Sequence, residues 1–259
     1  MISLTAGQIE SWMAAYLWPL LRIGACLMVA PVFGARFVPG RYRIVLAGAI
    51  TLIVAPLLPA MPEVSPFSGP GLVITVQQLI IGVAIGFVLQ IVFDALAMGG
   101  QLLANTMGLS FAFNVDPLRG ASAPVVGQFY TLIATLTFLA LNGHIAIIQV
   151  LVDGFRDLPI GTAGLGTDGY WQIVLWGSQL FRGAMMVALP GLTALLIVNL
   201  AFGVVSRAAP SLNLFAIGFP VTLIGGLLIV LAGLPAMQDG FIQLMRESLA
   251  FAGGLMGGN

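Results

Sequence analysis

The chain has 259 residues, of which 59% are hydrophobic and only 7% are charged. A soluble domain carries about 25% charged residues, so this composition excludes a soluble globular protein and indicates an integral membrane protein. The formal net charge of zero argues against nucleic acid as a partner, and a single cysteine, Cys26, excludes an internal disulfide.

Six hydrophobic runs approach the roughly 20 residues that a helix needs to cross a bilayer. They lie at about residues 12–33, 42–58, 72–93, 125–151, 170–198 and 212–234. The third run continues helically to Met107, and the fourth and fifth are longer than one simple span. Five prolines between residues 56 and 70 predict a stiff second connection, and the glycine-rich residues 161–168 predict a link. The sequence therefore predicts an all-α integral membrane protein with about six long hydrophobic helices.

The segment between the third and fourth runs suits neither a helix nor a loop in water. It consists of Met107, Gly108, Leu109, Ser110, Phe111, Ala112, Phe113, Asn114, Val115, Asp116 and Pro117. Its glycine, asparagine, aspartate and proline break helices, while its aliphatic and aromatic residues are too apolar for a solvated turn. Non-helical backbone at membrane depth persists only where protein buries it or where it lines a cavity. Phe111 and Phe113 either anchor this loop in a protein core or form a constriction that blocks ions by dewetting.

Two predicted helices beside this segment each carry a polar stripe. At about 100° per residue, four residues of the third helix and four of the fourth fall within roughly 60° of one another, with Gln149 continuing the second stripe. The first stripe is Gln90, Asp94, Gln101 and Asn105, and the second is Gln128, Thr131, Thr135 and Asn142. Such stripes either hydrogen-bond between packed helices or line a water-containing path. The segment at 107–117 favours the path.

Three charged residues lie within the hydrophobic runs: Arg22, Asp94 and Arg182. An isolated charge costs at least about 2.5–3.5 kcal/mol at the bilayer centre, so each requires a partner. Either arginine is a candidate to neutralise Asp94, and pairing with another subunit is the alternative. Structural pairing is favoured over proton coupling because the runs contain no second acid to form a relay.

Catalytic and metal-binding patterns are missing from the sequence. The single histidine, His144, has no Cys, Asp or Glu near it at metal-ligand spacing, and the sequence contains no nucleophile motif, paired carboxylates or phosphate-binding loop. The sequence therefore predicts no enzyme, metal site or cofactor.

A family resemblance rests on several of these motifs. Met107-Gly-Leu-Ser-Phe-Ala112, Asp116-Pro117 and Asn142-Gly-His144 closely resemble the FliR/SctT superfamily of type III export proteins. Arg22, the turn Pro31-Val-Phe-Gly34, and Asp153 before Leu158-Pro159 also match, and the resemblance extends over the whole chain.

The resemblance implies a division of the chain and a role for its parts. Residues 1–160 would form a FliP-like four-helix part, 161–168 a link, and 169–259 a FliQ-like helical hairpin with a C-terminal tail. The loop at 108–117 would plug a central pore. Ser206 and Arg207, at the turn of the hairpin, would contact an FlhB-like partner.

The partners implied are FliP-like and FliQ-like subunits, FlhB-like and FlhA-like components, exported unfolded proteins and membrane lipid. The location implied is the bacterial inner membrane at the flagellar basal body. The resulting hypothesis is a subunit that helps to form and seal the flagellar protein export channel. The alternatives are a virulence secretion gate, an ion-coupled or small-solute transporter, and a purely structural membrane scaffold.

Overall fold

The computed structural model describes residues 6–59, 61–62, 64–109, 125–208 and 214–257, which form helices and connections without a strand. The helices are α1 (Ala6–Val29), α2 (Gly40–Val54), α3 (Gly69–Thr106), α4 (Val125–Ala140), α5 (Gly143–Asp157), α6 (Gly166–Trp176), α7 (Gln179–Ala208) and α8 (Leu214–Met256). Within these residues, five helical stretches are long and apolar enough to cross a membrane, or six if α4 and α5 form one broken span. The predicted all-α membrane class is confirmed.

The predicted fourth run is not one continuous helix. α4 ends at Ala140 and α5 begins at Gly143, because Asn142 lies in the left-handed region with φ 57°. Asparagine tolerates this region better than most residues, since its short side chain can hydrogen-bond locally. Of the second polar stripe, only Gln128, Thr131 and Thr135 therefore share one helix, and Asn142 lies at the break between α4 and α5.

Two other predicted ends also differ from the structure. α6 begins at Gly166, inside the predicted link, and the fifth run breaks again between α6 and α7 at residues 177–178. α8 continues to Met256, well beyond the predicted end at 234. The hydrophobic run ends earlier than the helix because the second half of α8 carries Asp239, Arg246 and Glu247.

The described residues pack into two compact units. Unit 1 draws on residues 1–91, 141–177 and 246–259, and unit 2 on residues 92–140 and 178–245. The first part of α3 thus belongs to unit 1 and its second part to unit 2. Both units combine residues from before and after the link predicted at 161–168. The division into a FliP-like part at 1–160 and a FliQ-like part at 169–259 stays a prediction.

Unit 1 is organised around close packing of α1 on the first part of α3. Gly82 and Gly86 face α1, where a Cβ on Gly86 would lie 2.8 Å from the carbonyl oxygen of Cys26 and one on Gly82 would overlap that of Arg22. Trp18, which is fully buried, donates from Nε1 to Thr75 Oγ1 at 3.2 Å. The contacts advance in the same direction along both helices, so α1 and α3 run parallel. Gly82 and Gly86 therefore allow α1 and α3 of the same chain to pack closely.

Substitution of Gly82 tests this packing. We expect Gly82→Ala to lower the free energy of unfolding by about 1–3 kcal/mol, because the added methyl group meets α1 backbone. The control is Gly48→Ala in α2, where a Cβ meets nothing within 4 Å and helix propensity predicts a gain of up to about 1 kcal/mol. Thermal unfolding of both proteins in the same detergent measures the difference. Equal stability of the two variants would contradict the close α1–α3 packing.

Unit 2 surrounds the second part of α3 with α4, α7 and α8. The ring of Phe93 stands edge-on to Phe138 and Phe241, at centroid distances of 5.7 and 5.4 Å. A Cβ on Gly100 of α3 would lie 2.8 Å from the Cα of Gly127 in α4, so these two helices approach at backbone distance. Glycine and aromatic packing of this kind is typical of helices in membranes, where close approach replaces the hydrophobic effect as the main attraction.

Candidate functional site

The predicted plug segment begins at a well-defined helix end. The amide of Leu109 donates to Ala104 O and that of Gly108 to Asn105 O, both at 3.1 Å, and Gly108 has φ 80°. These are the two hydrogen bonds and the left-handed glycine of a Schellman motif. The motif fixes the direction in which the chain leaves α3, which is why this position needs glycine.

Only the first three residues of the predicted segment lie within the described part of the chain. Met107 is fully buried, while Gly108 and Leu109 are half-buried. The others are outside the described residues: Ser110, Phe111, Ala112, Phe113, Asn114, Val115, Asp116 and Pro117. Their role as a plug stays a prediction.

The polar stripe of α3 lies on the surface of the chain. Asp94, Gln101 and Asn105 are exposed and Gln90 is half-buried, although most α3 residues between 81 and 100 are buried. The second half of α3, from residue 88 to residue 106, is otherwise buried or half-buried and thus presents a narrow polar face. Such a face is unsuited to lipid, so it suits a water-filled space or a polar partner surface.

The predicted stripe on α4 is less uniform. Gln128 is exposed, but Thr131 and Thr135 are half-buried and donate to carbonyl oxygens one turn earlier in their own helix, Gly127 at 2.9 Å and Thr131 at 2.8 Å. Threonine hydroxyls commonly bond the i−4 carbonyl in this way. The α4 threonines therefore present less polarity to their surroundings than the amides of α3.

Arg22 is the centre of a buried polar cluster in unit 1. Its Nε donates to Gln78 Oε1 at 2.7 Å, and its two Nη atoms donate to Leu158 O at 3.1 and 3.0 Å. Nη1 also donates to Gly154 O at 3.1 Å, and the guanidinium carbon lies 4.3 Å from the centroid of the Phe155 ring. Side chains of α1 and α3 and the end of α5 are thereby joined at one point.

Neutral groups hold this buried cation. The carbonyls of Gly154 and Leu158 belong to the C-terminal end of α5, where the helix dipole is negative, and Gly154 O also accepts from the amide of Leu158 at 3.0 Å. An aromatic face adds a further attraction for the guanidinium. The cluster unites Arg22 with Leu158, two of the positions that carry the family resemblance. Since neutral oxygens satisfy Arg22, Arg182 is the remaining candidate partner that the sequence offers for Asp94.

The partners of Arg22 were not predicted from the sequence: neither Gln78, which is 1% exposed, nor Gly154 was among the predicted site residues. Gln78 does leave a signal, because Gln77-Gln78 is the only pair of adjacent polar residues in the largely apolar run 72–89. The backbone carbonyls leave no such signal.

The remaining predicted residues, Arg182, Ser206 and Arg207, belong to α7. Arg182 is exposed and donates from Nη1 to Gln179 Oε1 at 3.2 Å. Arg207 is exposed in the last turn of α7, where the helix dipole stabilises a cation, and Ser206 precedes it in the chain. Among the described residues, no three His, Cys, Asp or Glu side chains lie close enough to hold a metal ion.

Comparison with known proteins gives a match over nearly the whole chain. The family model described as bacterial export proteins, family 1, matches residues 13–248. Flagellar biosynthetic protein FliR of Escherichia coli (strain K12) is 42% identical over 95% of this chain and 94% of its own length. The FliR proteins of Pectobacterium carotovorum and Aquifex aeolicus are 37% and 32% identical, covering 95% and 87% of this chain and 94% and 87% of their own lengths.

Proposed function

Because the chain belongs to the FliR family of bacterial export proteins, we propose that it is a membrane subunit of the flagellar type III export gate. The observation that carries this proposal is 42% identity to a flagellar biosynthetic protein over 95% of the chain. The relatives named above are all flagellar proteins, which favours a flagellar gate over a virulence secretion gate. The helices long enough to cross a membrane and the flagellar names of the relatives support a location in the bacterial inner membrane, and we propose that this location is the flagellar basal body.

The polar face of α3 is the surface proposed to line the channel or the seam with a neighbouring subunit. Asp94, Gln101 and Asn105 are exposed on it, and an unfolded polypeptide passing through a membrane needs a surface that tolerates water. Lipid would disfavour the same face. The proposal therefore places α3 towards the interior of a larger assembly.

The segment at 108–117 is proposed to close this channel against ions. Two features support it: the segment follows directly from the end of the helix that carries the polar face, and it contains Phe111 and Phe113. A hydrophobic constriction excludes ions by dewetting and does not need to bind the ions tightly. An unfolded chain that enters the channel can therefore displace the constriction.

FliP-like and FliQ-like subunits are the proposed partners within the gate. Exposed apolar side chains cover much of α7 and α8, including Leu196, Leu200, Ile224 and Leu228, which is appropriate for subunit or lipid contact. Ser206 and Arg207 are proposed to contact an FlhB-like component, and FlhA-like components and exported unfolded proteins complete the set of partners. Energy for export would come from other components of the export apparatus.

Co-purification tests the proposed function. When the tagged chain is extracted from native membranes in mild detergent, we expect two small hydrophobic proteins to be recovered with it, identified by mass spectrometry. A tagged membrane protein of similar size from the same cells is the control for unspecific recovery. Recovery of a stable lone chain with a bound small solute would contradict the gate and favour a transporter.

A further inference from the structure

The last two turns of α3 carry two buried apolar side chains on one face. Leu103 and Met107 are four residues apart, so they lie one above the other on the helix, and they are 2% and 0% exposed. Met107 is followed immediately by Gly108, the left-handed residue of the helix cap. Whatever holds these two side chains therefore also holds the point at which the 108–117 segment begins.

Both side chains lie directly against glycines of the two helices α7 and α8. A Cβ on Gly191 of α7 would lie 2.6 Å from Leu103 Cδ2, and one on Gly226 of α8 would lie 2.7 Å from Met107 Cε and 2.8 Å from its Sδ. A side chain larger than glycine at either position forces Leu103 or Met107 out of its present side-chain position. We name the pairs Leu103–Gly191 and Met107–Gly226 the α3-end contacts.

The neighbouring residue shows that this requirement is local. A Cβ on Gly225 would meet nothing within 4 Å, although Gly225 and Gly226 are adjacent in the same helix. Glycine within a helix costs about 0.5–1 kcal/mol relative to alanine. At Gly226 that cost is offset by a close contact, because α8 there receives the side chain of Met107.

Earlier turns of α3 continue the same line of contact with α7. A Cβ on Gly183 would lie 3.0 Å from Ala95 Cβ, and one on Gly99 would lie 3.0 Å from the carbonyl oxygen of Ala184. α3 therefore packs on α7 over several turns before Met107 reaches α8. Such close packing of α3 on α7 leaves little room for the two helices to move independently.

We propose that the α7–α8 pair is the element that positions the end of α3, with Leu103, Met107, Gly191 and Gly226 as the positioning residues. The inference rests on the proposed function, in which the 108–117 segment seals the channel. Met107 is bonded directly to Gly108, whose conformation is fixed by the Schellman motif, so a displacement of Met107 displaces the start of the segment. Partner subunits that move α8 would therefore alter the seal.

Gly226→Ala tests this inference in the complete gate complex. The added methyl group overlaps the Met107 side chain and forces it to move, so we expect ion leakage through the membrane to rise about tenfold, the factor that corresponds to an overpacking cost of about 1.4 kcal/mol. Gly225→Ala is the matched control and should leave leakage at the parent level. Recovery of partner subunits is measured in parallel, and it should be unchanged in both variants.

A double substitution separates positioning from general damage. Met107→Ala combined with Gly226→Ala removes the overlapping atoms, so the double variant should leak less than Gly226→Ala alone. The inference would be overturned if the double variant leaked as much as the sum of the Met107→Ala and Gly226→Ala variants. Equal leakage in the Gly225→Ala and Gly226→Ala proteins would overturn it as well.

Cross-linking keeps the test decisive if Gly226→Ala does not assemble. A Cβ at position 226 lies against Met107 Cγ, which suits the Cβ separation of about 3.5–4.5 Å in a disulfide. We expect Met107→Cys with Gly226→Cys to cross-link on oxidation in the membrane, and Met107→Cys with Gly225→Cys to cross-link far less. Equal yields would overturn the inference. If deletion of 108–117 causes no leak, the proposed function fails instead; if the deletion leaks and assembled Gly226→Ala does not, the positioning inference alone fails.

Discussion

Deletion of residues 108–117 is expected to make the membrane permeable to small ions while the complex still assembles. The segment follows the polar face of α3, and in the proposed channel its apolar residues are the part that excludes ions by dewetting. Its removal leaves a polar path with nothing to close it. The expected effect is close to complete loss of the barrier, measured as collapse of the ion gradient in cells or as ion flux into vesicles that contain the purified complex.

Replacement of 108–117 by an equally long glycine-serine segment is the control for chain length. If Phe111 and Phe113 form the seal, this variant leaks like the deletion, and restoring the two phenylalanines within the flexible segment reduces the leak. A scaffold in which the loop only packs predicts failure of assembly instead. A transporter predicts loss of uptake of one solute with normal motility. A tight membrane with an assembled complex would show that the segment is not a plug.

The helical architecture was predictable because hydrophobic runs report burial in lipid or protein directly. α3 follows its predicted course to within a residue of Met107, since no proline interrupts the run after its first turn. The break at Asn142 was missed because a left-handed asparagine leaves no gap in the hydrophobic pattern. The length of α8 was missed for the opposite reason, since charged residues late in a helix lower its hydrophobicity without ending it.

The buried contacts were harder to predict than the exposed stripe. Spacing alone placed Asp94, Gln101 and Asn105 on one face, because helical periodicity is a local property. The neighbours of Arg22 come from two other helices, α3 and α5, which are distant in sequence, and two of its acceptors are backbone carbonyls that no residue type marks. Gly226 likewise cannot be told from Gly225 by sequence, since only the neighbour across the interface differs.

Replacement of Arg22 is expected to have the largest effect on stability of any single substitution in unit 1. Arg22→Leu removes a buried guanidinium that makes four hydrogen bonds, and it leaves Gln78 and the end of α5 without their partner. Hydrogen bonds to charged groups contribute about 1.5–3 kcal/mol each, so we expect a loss of at least about 3–5 kcal/mol, a large share of the total stability of a typical domain. Thermal unfolding in detergent and the protein level in membranes measure it.

Arg22→Lys should fall between the parent and Arg22→Leu, because a single ammonium group cannot reproduce the planar fork that reaches α3 and α5 together. Arg36→Leu, at an exposed position, is the control and should change stability by no more than about 0.5 kcal/mol. Gln78→Leu combined with Arg22→Leu should cost less than the sum of the single changes, because replacing both partners removes the unsatisfied amide. If Arg22 instead served to bind another subunit, Arg22→Leu would leave the isolated chain as stable as the parent and weaken only its recovery with partners.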